Sequence, residues 1–308
     1  MPIHRLDEEK LTEGISVPPE WEQLDLSRMS GLIMLVGGVD TGKTTLFRYL
    51  LSSSIETRGK AAALDADPGQ SRLGPPTTIS LGMFEALPHR EIRQRIRHWF
   101  VGATTPAGHM LQVLSGCGRL LQKAREITDE LIVMDTSGLV DPEKGGVRLK
   151  LSKIDLLQPS VLIVLQKERE LESWIRPVRN GKRVSVIDMP AAPTVRERDY
   201  MERQSYRENS FRRYFKRAVL RDFNWPGYGV FPYPRFDENR LLAFEDKNGF
   251  TLGLGIVQGV DIPARTVTVF SPLTENLAGQ AASIQIGDVV LDPATFQHAL
   301  TYPAGKKF

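Results

Sequence analysis

Residues 32–44, LIMLVGGVDTGKT, constrain this chain more than any other stretch. The apolar run Leu32 to Val36 reads as a buried strand, and a glycine-rich turn leads from it into a helix-like run. The turn fits G-x-x-x-x-G-K-[ST], with Gly37, Gly42, Lys43 and Thr44 in the fixed positions. Each residue type has a physical reason. Glycines let backbone N–H groups curl around phosphate oxygens with no Cβ in the way. Lys43 has the reach for β- and γ-phosphates, and the Thr44 hydroxyl suits a Mg²⁺ ion. The helix that starts there turns its positive end to the anion. The expected nucleotide-binding set is Gly37, Gly38, Asp40, Thr41, Gly42, Lys43, Thr44 and Thr45.

The rest of the chain alternates in the same manner. AAALD (61–65), ELIVMD (130–135), VLIVL (161–165) and RVSVID (183–188) read as further strands. Helices are expected at 43–54, from Pro106 to about residue 126, around 167–174, and over 146–157. In the last of these Val147, Leu151 and Ile154 recur at i, i+4 and i+7. Such alternation implies a parallel sheet covered by helices on both faces, with ligands at the carboxyl ends of the strands. The Gly37, Asp65, Gly102 and Asp135 segments lie at those ends. IRQRIRHWFV (92–101) alternates as a strand with Arg93, Arg95 and Arg97 on one face. Residues 1–30 read as an arm, in which PPEWEQL forms a short helix and Trp21 packs on the domain, stacking on a base being the alternative. Residues 222–308 change texture. Aromatics, prolines and glycines give way to short alternating runs such as TVTVF (266–270) and SIQIGDVVL (283–291), with turns such as DKNG (246–249). A small all-β module is expected there.

At 308 residues the chain can hold one large domain and a smaller one. No apolar run approaches the roughly 20 residues of a membrane span. MPIHRLDEEKL is too acidic and polar for a signal peptide, so a cytoplasmic chain without membrane contact is expected. The single cysteine, Cys117, excludes an intramolecular disulfide and a multi-cysteine zinc site. The five histidines are scattered, and no structural metal is expected. Net charge is only +3, yet residues 194–221 hold nine Lys/Arg against four Asp/Glu. That surplus exceeds the whole chain's, and in a phosphate-handling protein it suggests a second polyanion.

The acidic candidates follow the strands. Asp65 and Asp67 end the strand after the loop helix, where carboxylates can hold Mg²⁺ waters and accept a proton from an attacking hydroxyl. Asp135 ends ELIVMD and is a further Mg²⁺ candidate through water. The expected metal set is thus Thr44, Asp65 and Asp135. Gln70 can contact phosphate or substrate, and Thr104 and Thr105 offer hydroxyls at the same sheet edge or cap the helix that follows.

GVDTGKTTL, DADPGQS, FVGATTP, DTSG and an arginine-rich segment ending in RRYF together resemble the polynucleotide 5′-hydroxyl kinase family. That family includes the RNA kinase of pre-mRNA cleavage and tRNA splicing complexes, the ribosomal-RNA-processing kinases, and shorter archaeal and bacterial forms. The resemblance runs from about residue 30 to 220 and more weakly beyond. It implies Lys43 and Thr44 as phosphate-loop lysine and Mg²⁺ ligand, and Asp67 as the carboxylate that activates the 5′-hydroxyl, followed by Gln70. It places Thr104 and Thr105 in the substrate-side F-x-G-x-T-x-P element. Arg198 and Arg203 match lid arginines over the transferring phosphoryl group, with Arg207 one turn further on the substrate side. ATP or another NTP, Mg²⁺, and RNA and/or DNA with a 5′-hydroxyl end are the implied cofactors and partner; protein partners stay open. Leu139 stands where eukaryotic members have a base-clamping Trp, and their large N-terminal β domain has no counterpart here. The short prokaryotic type is the nearer likeness.

The expected architecture is therefore α/β: a P-loop NTPase with a mostly parallel sheet covered by helices on both faces, an arginine-rich helical lid, and a small C-terminal all-β domain. The expected organisation is an arm at 1–30, a kinase domain at 31–221 with its lid at about 194–217, and a β domain at 222–308. MPAAP (189–193) would serve as a semi-rigid hinge. Other classes stay open: a P-loop GTPase or metallocentre chaperone, a small-molecule kinase, or a non-catalytic NTP-binding scaffold for RNA processing. DTSG looks like a D-x-x-G switch, and SKID (152–155) like the guanine-reading N-K-x-D. A guanine reader should follow a strand, whereas SKID falls inside a helical stripe. The basic surplus is more than a small acceptor needs.

Overall fold

The computed structural model describes residues 3–7, 17–88, 91–128, 131–190 and 196–301, the first of these segments by its backbone. Much of the expected arm, and the hinge beyond Pro190, lie outside the described residues. Two units make up the fold. The first comprises Met1–Asp67, Ile79–Arg97 and Pro106–Arg198; the second comprises Pro68–Thr78, His98–Thr105 and Asp199–Phe308.

The first unit holds β1 (Ile3–Asp7), α1 (Pro19–Glu22), β2 (Leu32–Gly37), α2 (Lys43–Arg58), β3 (Lys60–Ala66), β4 (Thr78–Ala86) after its first residue and β5 (Glu91–Phe100) up to Arg97, the last three residues of β5 belonging to the second unit. Then come α3 (Met110–Arg125), β6 (Ile132–Thr136), α4 (Gly146–Leu157), β7 (Val161–Gln166), α5 (Glu172–Asn180) and β8 (Ser185–Pro190). Strands β3, β6, β2, β7 and β8 lie in that order and all run parallel. β2 and β6 are buried along their whole length, as strands covered on both faces must be. Leu32–Val36 and Leu131–Met134 are continuous apolar runs with no polar face to turn to water. β4 is antiparallel to β3, and β1 is antiparallel to β5, so the sheet is mixed around a parallel core. The register sets Asp65 opposite Asp135 and Gly37 opposite Leu165, and the candidate segments emerge at the same, carboxyl end of the parallel strands. Trp21 is fully buried, with its ring 6.0 Å from that of Tyr49.

Helix boundaries differ from expectation in several places, and α2, expected over 43–54, runs on to Arg58. The helix expected from Pro106 starts at Met110, because Gly108 takes a φ of 78° that an α-helix cannot continue. The helix expected around 167–174 is α5, beginning at Glu172. Residues 167–170 instead form a turn closed by the Glu170 carboxylate, which accepts the Lys167 and Glu168 N–H groups, and Arg169 has a φ of 65°.

The second unit contains α6 (Tyr200–Tyr214), β9 (Val219–Asn224), β10 (Gly229–Phe231), β11 (Arg240–Glu245), β12 (Thr251–Asp261), β13 (Thr266–Ser271), β14 (Ser283–Leu291) and β15 (His298–Leu300). Its strands run in the order β10, β14, β11, β12, β13, β9, with β15 on β14. All these pairs are antiparallel except β10 with β14. DKNG closes the β11–β12 hairpin: the Asp246 carboxylate accepts the N–H groups of Asn248 and Phe250. α6 opens on a capping box of Asp199 and Glu202. It closes with Phe211 and the following Phe215 buried among Phe100, Leu241, Leu254 and Val289. The arginine-rich helix thus has an apolar side as well as its charges. Among the described residues no helix is long and apolar enough to cross a membrane.

Candidate active site

The loop after β2 is built around positions where a side chain cannot stand. A Cβ on Gly37 would lie 2.5 Å from the Leu165 carbonyl oxygen and 2.6 Å from Thr41 Oγ1. Gly42, at the start of α2, has a φ of 88°, in the left-handed region that favours glycine. Lys43 is 6% exposed, and its Nζ donates to the Gly38 carbonyl and to Thr41 Oγ1. Burial pushes Lys43 below the usual lysine range, against the pull of the Asp135, Asp67 and Asp40 carboxylates. The Thr44 hydroxyl donates to Asp135 Oδ2 at 2.8 Å.

The carboxylates gather on neighbouring strands. Asp65 is 2% and Asp135 4% exposed, and Asp65 Oδ1 accepts the Asp67 N–H at 3.3 Å. Burial raises Asp135 above the usual carboxylate range, opposed by Lys43 and by the Thr44 hydrogen bond. Oxygens of this kind on a threonine and buried acids fit a hard divalent cation, which would relieve the burial penalty of the acids. Among the described residues no three His, Cys, Asp or Glu side chains gather closely enough to hold a metal alone. The remaining ligands would be phosphate oxygens and water, the usual situation of Mg²⁺ at phosphates.

Sequence reasoning did not foresee how this centre is braced. Asp40 accepts the Arg198 backbone N–H at 2.9 Å, with Arg198 Nε 3.6 Å from its other oxygen. This fastens one of the two expected lid arginines to the phosphate loop. The DTSG turn is fitted just as closely. A Cβ on Gly138 would come within 2.8 Å of the Val39 side chain, and one on Gly146 within 2.7 Å of the Leu139 carbonyl. SKID lies in α4, with Asp155 paired to Arg183 at 3.4 Å. It is a surface-and-core pattern of a helix, not a base-reading loop.

The remaining expected site residues belong to the second unit. Gln70 Nε2 donates to the Arg203 carbonyl at 3.3 Å, so the glutamine of DADPGQS and the second lid arginine do meet there. The Tyr206 hydroxyl donates to the Ser71 carbonyl at 2.7 Å, and the Arg72 guanidinium lies 4.8 Å from the Tyr206 ring centre. Gly102, with a φ of 82°, donates to Thr77 and accepts from Asp288, which fixes the chain that leads into Thr104 and Thr105. Arg207 Nε donates to His298 Nε2 at 3.0 Å, and burial with the facing guanidinium pushes His298 down to about 4. His298 is thus a neutral acceptor that orients Arg207. A lone histidine far along the chain carries no signal of that.

A strand ending in a glycine-rich loop, a buried lysine at the end of that loop, and a threonine hydroxyl bonded to a carboxylate on the adjacent strand define a P-loop nucleotide-binding domain. The family model described as mRNA cleavage and polyadenylation factor CLP1 P-loop matches residues 37–217, and the chain belongs to that family. A polyribonucleotide 5′-hydroxyl-kinase of Pyrococcus furiosus is 35% identical over 243 residues, 78% of this chain and 60% of the relative. One of Methanocaldococcus jannaschii is 27% identical over 325 residues, covering 84% of this chain and 87% of the relative. The chain thus spans only 60% of the length of the Pyrococcus relative. A solved structure of the wild-type Clp1p–Pcf11p complex shares the fold, with a TM-score of 0.67 at 15% identity, over 87% of this chain and 76% of that one.

Proposed function

We propose that this chain is a polynucleotide 5′-hydroxyl kinase, transferring the γ-phosphate of ATP or another NTP to the 5′-hydroxyl end of RNA and/or DNA. The observation that carries this reading is the arrangement at the strand ends: a phosphate cradle, the Thr44–Asp135 pair, and Asp65 on the neighbouring strand with Asp67 just past its end. Family membership and the names of the archaeal relatives support it.

The nucleotide phosphates draw Lys43 away from Gly38 and onto the β- and γ-oxygens. A divalent cation held by Thr44, Asp65 and Asp135, directly or through water, would supply further charge neutralisation on those oxygens. Asp67 orients the 5′-hydroxyl and takes its proton as the new O–P bond forms and the bond from the γ-phosphorus to the β-γ bridging oxygen breaks. Arg198, anchored through Asp40, offsets charge on the equatorial oxygens. Arg203 is assigned the same work on the family resemblance. Gln70, Thr104, Thr105 and Arg207 are assigned to the acceptor strand on the same ground. Transfer from γ-labelled NTP to matched 5′-hydroxyl RNA and DNA oligomers tests the proposal. Label on neither acceptor overturns it, and the ratio between them gives the preference.

A further inference from the structure

Helix α4 carries two fully buried lysines, Lys150 and Lys153. They are three residues apart and therefore share a helix face. A buried ammonium is unfavourable by several kcal/mol unless it is hydrogen-bonded and faces opposite charge. Lys150 satisfies both conditions. Its Nζ donates to Thr136 Oγ1 at 2.7 Å and to the Ser137 carbonyl, and the carboxylates facing it are Asp67 and Asp135.

These bonds continue in both directions. Thr136 Oγ1 donates to the Leu35 carbonyl at 2.7 Å, in the strand that feeds the phosphate loop. The Thr136 N–H donates to Asp135 Oδ1 at 2.9 Å, and the other Asp135 oxygen accepts from Thr44 at 2.8 Å. One run of hydrogen bonds thus leads from α4 through the DTSG turn to the strand below the loop and the loop's own threonine. Ser137 lies just past the end of β6, where no strand ladder holds it. Lys153, by contrast, lies beside the Cys117 thiol and has no part in this run.

We infer that Lys150 is a positioning residue for phosphoryl transfer: it fixes the turn after Asp135, and so aims that carboxylate at Thr44 and at the divalent cation the pair would hold. Burial and the Lys153 ammonium push Lys150 well below the usual lysine range. The bonds to Thr136 and Ser137 do not depend on its charge, because a neutral amine still donates two N–H groups. The inference rests on reading the site as a phosphotransferase with a divalent cation.

The test uses the full chain and compares Lys150→Met, Thr136→Val, Thr136→Ser and Lys153→Met. A fluorescent ATP analogue reports nucleotide binding in EDTA and across a Mg²⁺ titration, and turnover gives kcat and KM separately. Residues that orient metal ligands typically change metal affinity or activity by about 10–100-fold. Lys150→Met and Thr136→Val are therefore expected to bind nucleotide in EDTA as the wild type does. Both should need at least about tenfold more Mg²⁺ for half-maximal enhancement, with kcat reduced and oligonucleotide KM unchanged. Thr136→Ser keeps the hydroxyl and should restore wild-type Mg²⁺ dependence, and Lys153→Met should retain it. Wild-type Mg²⁺ dependence in both Lys150→Met and Thr136→Val overturns the inference. So does a uniform fall of metal-free binding, Mg²⁺ dependence and melting temperature together, which marks a merely structural lysine. If Lys150→Met does not fold, the Thr136 pair decides by the same criterion. If the wild type phosphorylates no oligonucleotide, the kinase reading fails while the binding titration still judges Lys150.

Discussion

Replacing Gly37 by alanine tests the phosphate loop by shape alone, since no charge or hydrogen-bonding group is removed. The added Cβ would stand 2.5 Å from the Leu165 carbonyl oxygen and 2.6 Å from Thr41 Oγ1. Ordinary carbon–oxygen approaches stop at about 3.3 Å, so loop and strand would have to part by roughly 0.8 Å. Neither neighbour is a flexible tip. Leu165 sits opposite Gly37 in the parallel ladder, and Thr41 Oγ1 is bonded to the Gly38 carbonyl. The loop must therefore move. A misplacement on the order of 1 Å can lower turnover about 100-fold, and a loss of that size in kcat/KM is expected, with weaker nucleotide binding. Gly59 is the control. A Cβ there meets open space, but the φ of 70° strains alanine. Gly59→Ala should lower stability by about 1–2 kcal/mol and leave turnover per folded molecule unchanged. The assays are γ-phosphate transfer to a 5′-hydroxyl oligomer, equilibrium binding of a fluorescent NTP, and thermal melting. Wild-type turnover and nucleotide affinity in Gly37→Ala would refute the reasoning.

Lys43→Met should abolish transfer without lowering the melting temperature, since it removes a buried charge rather than a core contact; labelled transfer and calorimetry check the two halves. Asp67→Asn keeps the shape but removes the proton acceptor, so turnover should fall at least about 100-fold with NTP binding retained. The reverse pattern, with Asp65→Asn crippling and Asp67→Asn harmless, would exchange their roles. Arg203→Ala should reduce kcat by orders of magnitude, whereas Arg213→Ala should mainly weaken oligonucleotide binding in a salt-dependent way; a salt titration of both separates lid from surface. Burial raises Glu245 above the usual carboxylate range, so its ionisation disfavours the folded state at neutral pH and not at acid pH. Glu245→Gln should therefore melt above the wild type at pH 8, and the difference should vanish below the ordinary glutamate range.

The phosphate loop and the parallel strands were legible because local sequence dictates them, whereas the order of those strands in the sheet is set by long-range pairing. Leu32–Val36 can only be a buried strand, and Gly37 and Gly42 have no substitutes there. Helix starts were less legible. Gly108 in a left-handed turn, and the Glu170 carboxylate closing residues 167–170, are choices of local hydrogen bonding that periodicity does not register. The braces of the site were hidden for another reason. The stripe Val147, Leu151 and Ile154 identified α4 as a helix, but a buried lysine beside a stripe reads like any solvated one until its partners Thr136 and Ser137 are placed. Asp40 looked like a loop residue for nucleotide, and its bond to Arg198 spans a sequence separation of 158. Sequence shows which residues carry chemistry; it does not show what holds them.

The fit of Gly138 against Val39, and of Gly146 against the Leu139 carbonyl, has a consequence for watching the protein at work. Backbone meets its neighbour there with no side chain between, and close-packed contacts of this kind resist compression. A phosphate loop that reshapes as it fills must press on the DTSG turn, and that turn on the first residues of α4. The Leu149 amide, which donates to Gly145 at 3.0 Å in that first turn, becomes a remote gauge of occupancy. Its hydrogen-exchange rate should differ between empty and nucleotide-filled protein, giving a readout of loop filling that requires neither turnover nor a label on the nucleotide.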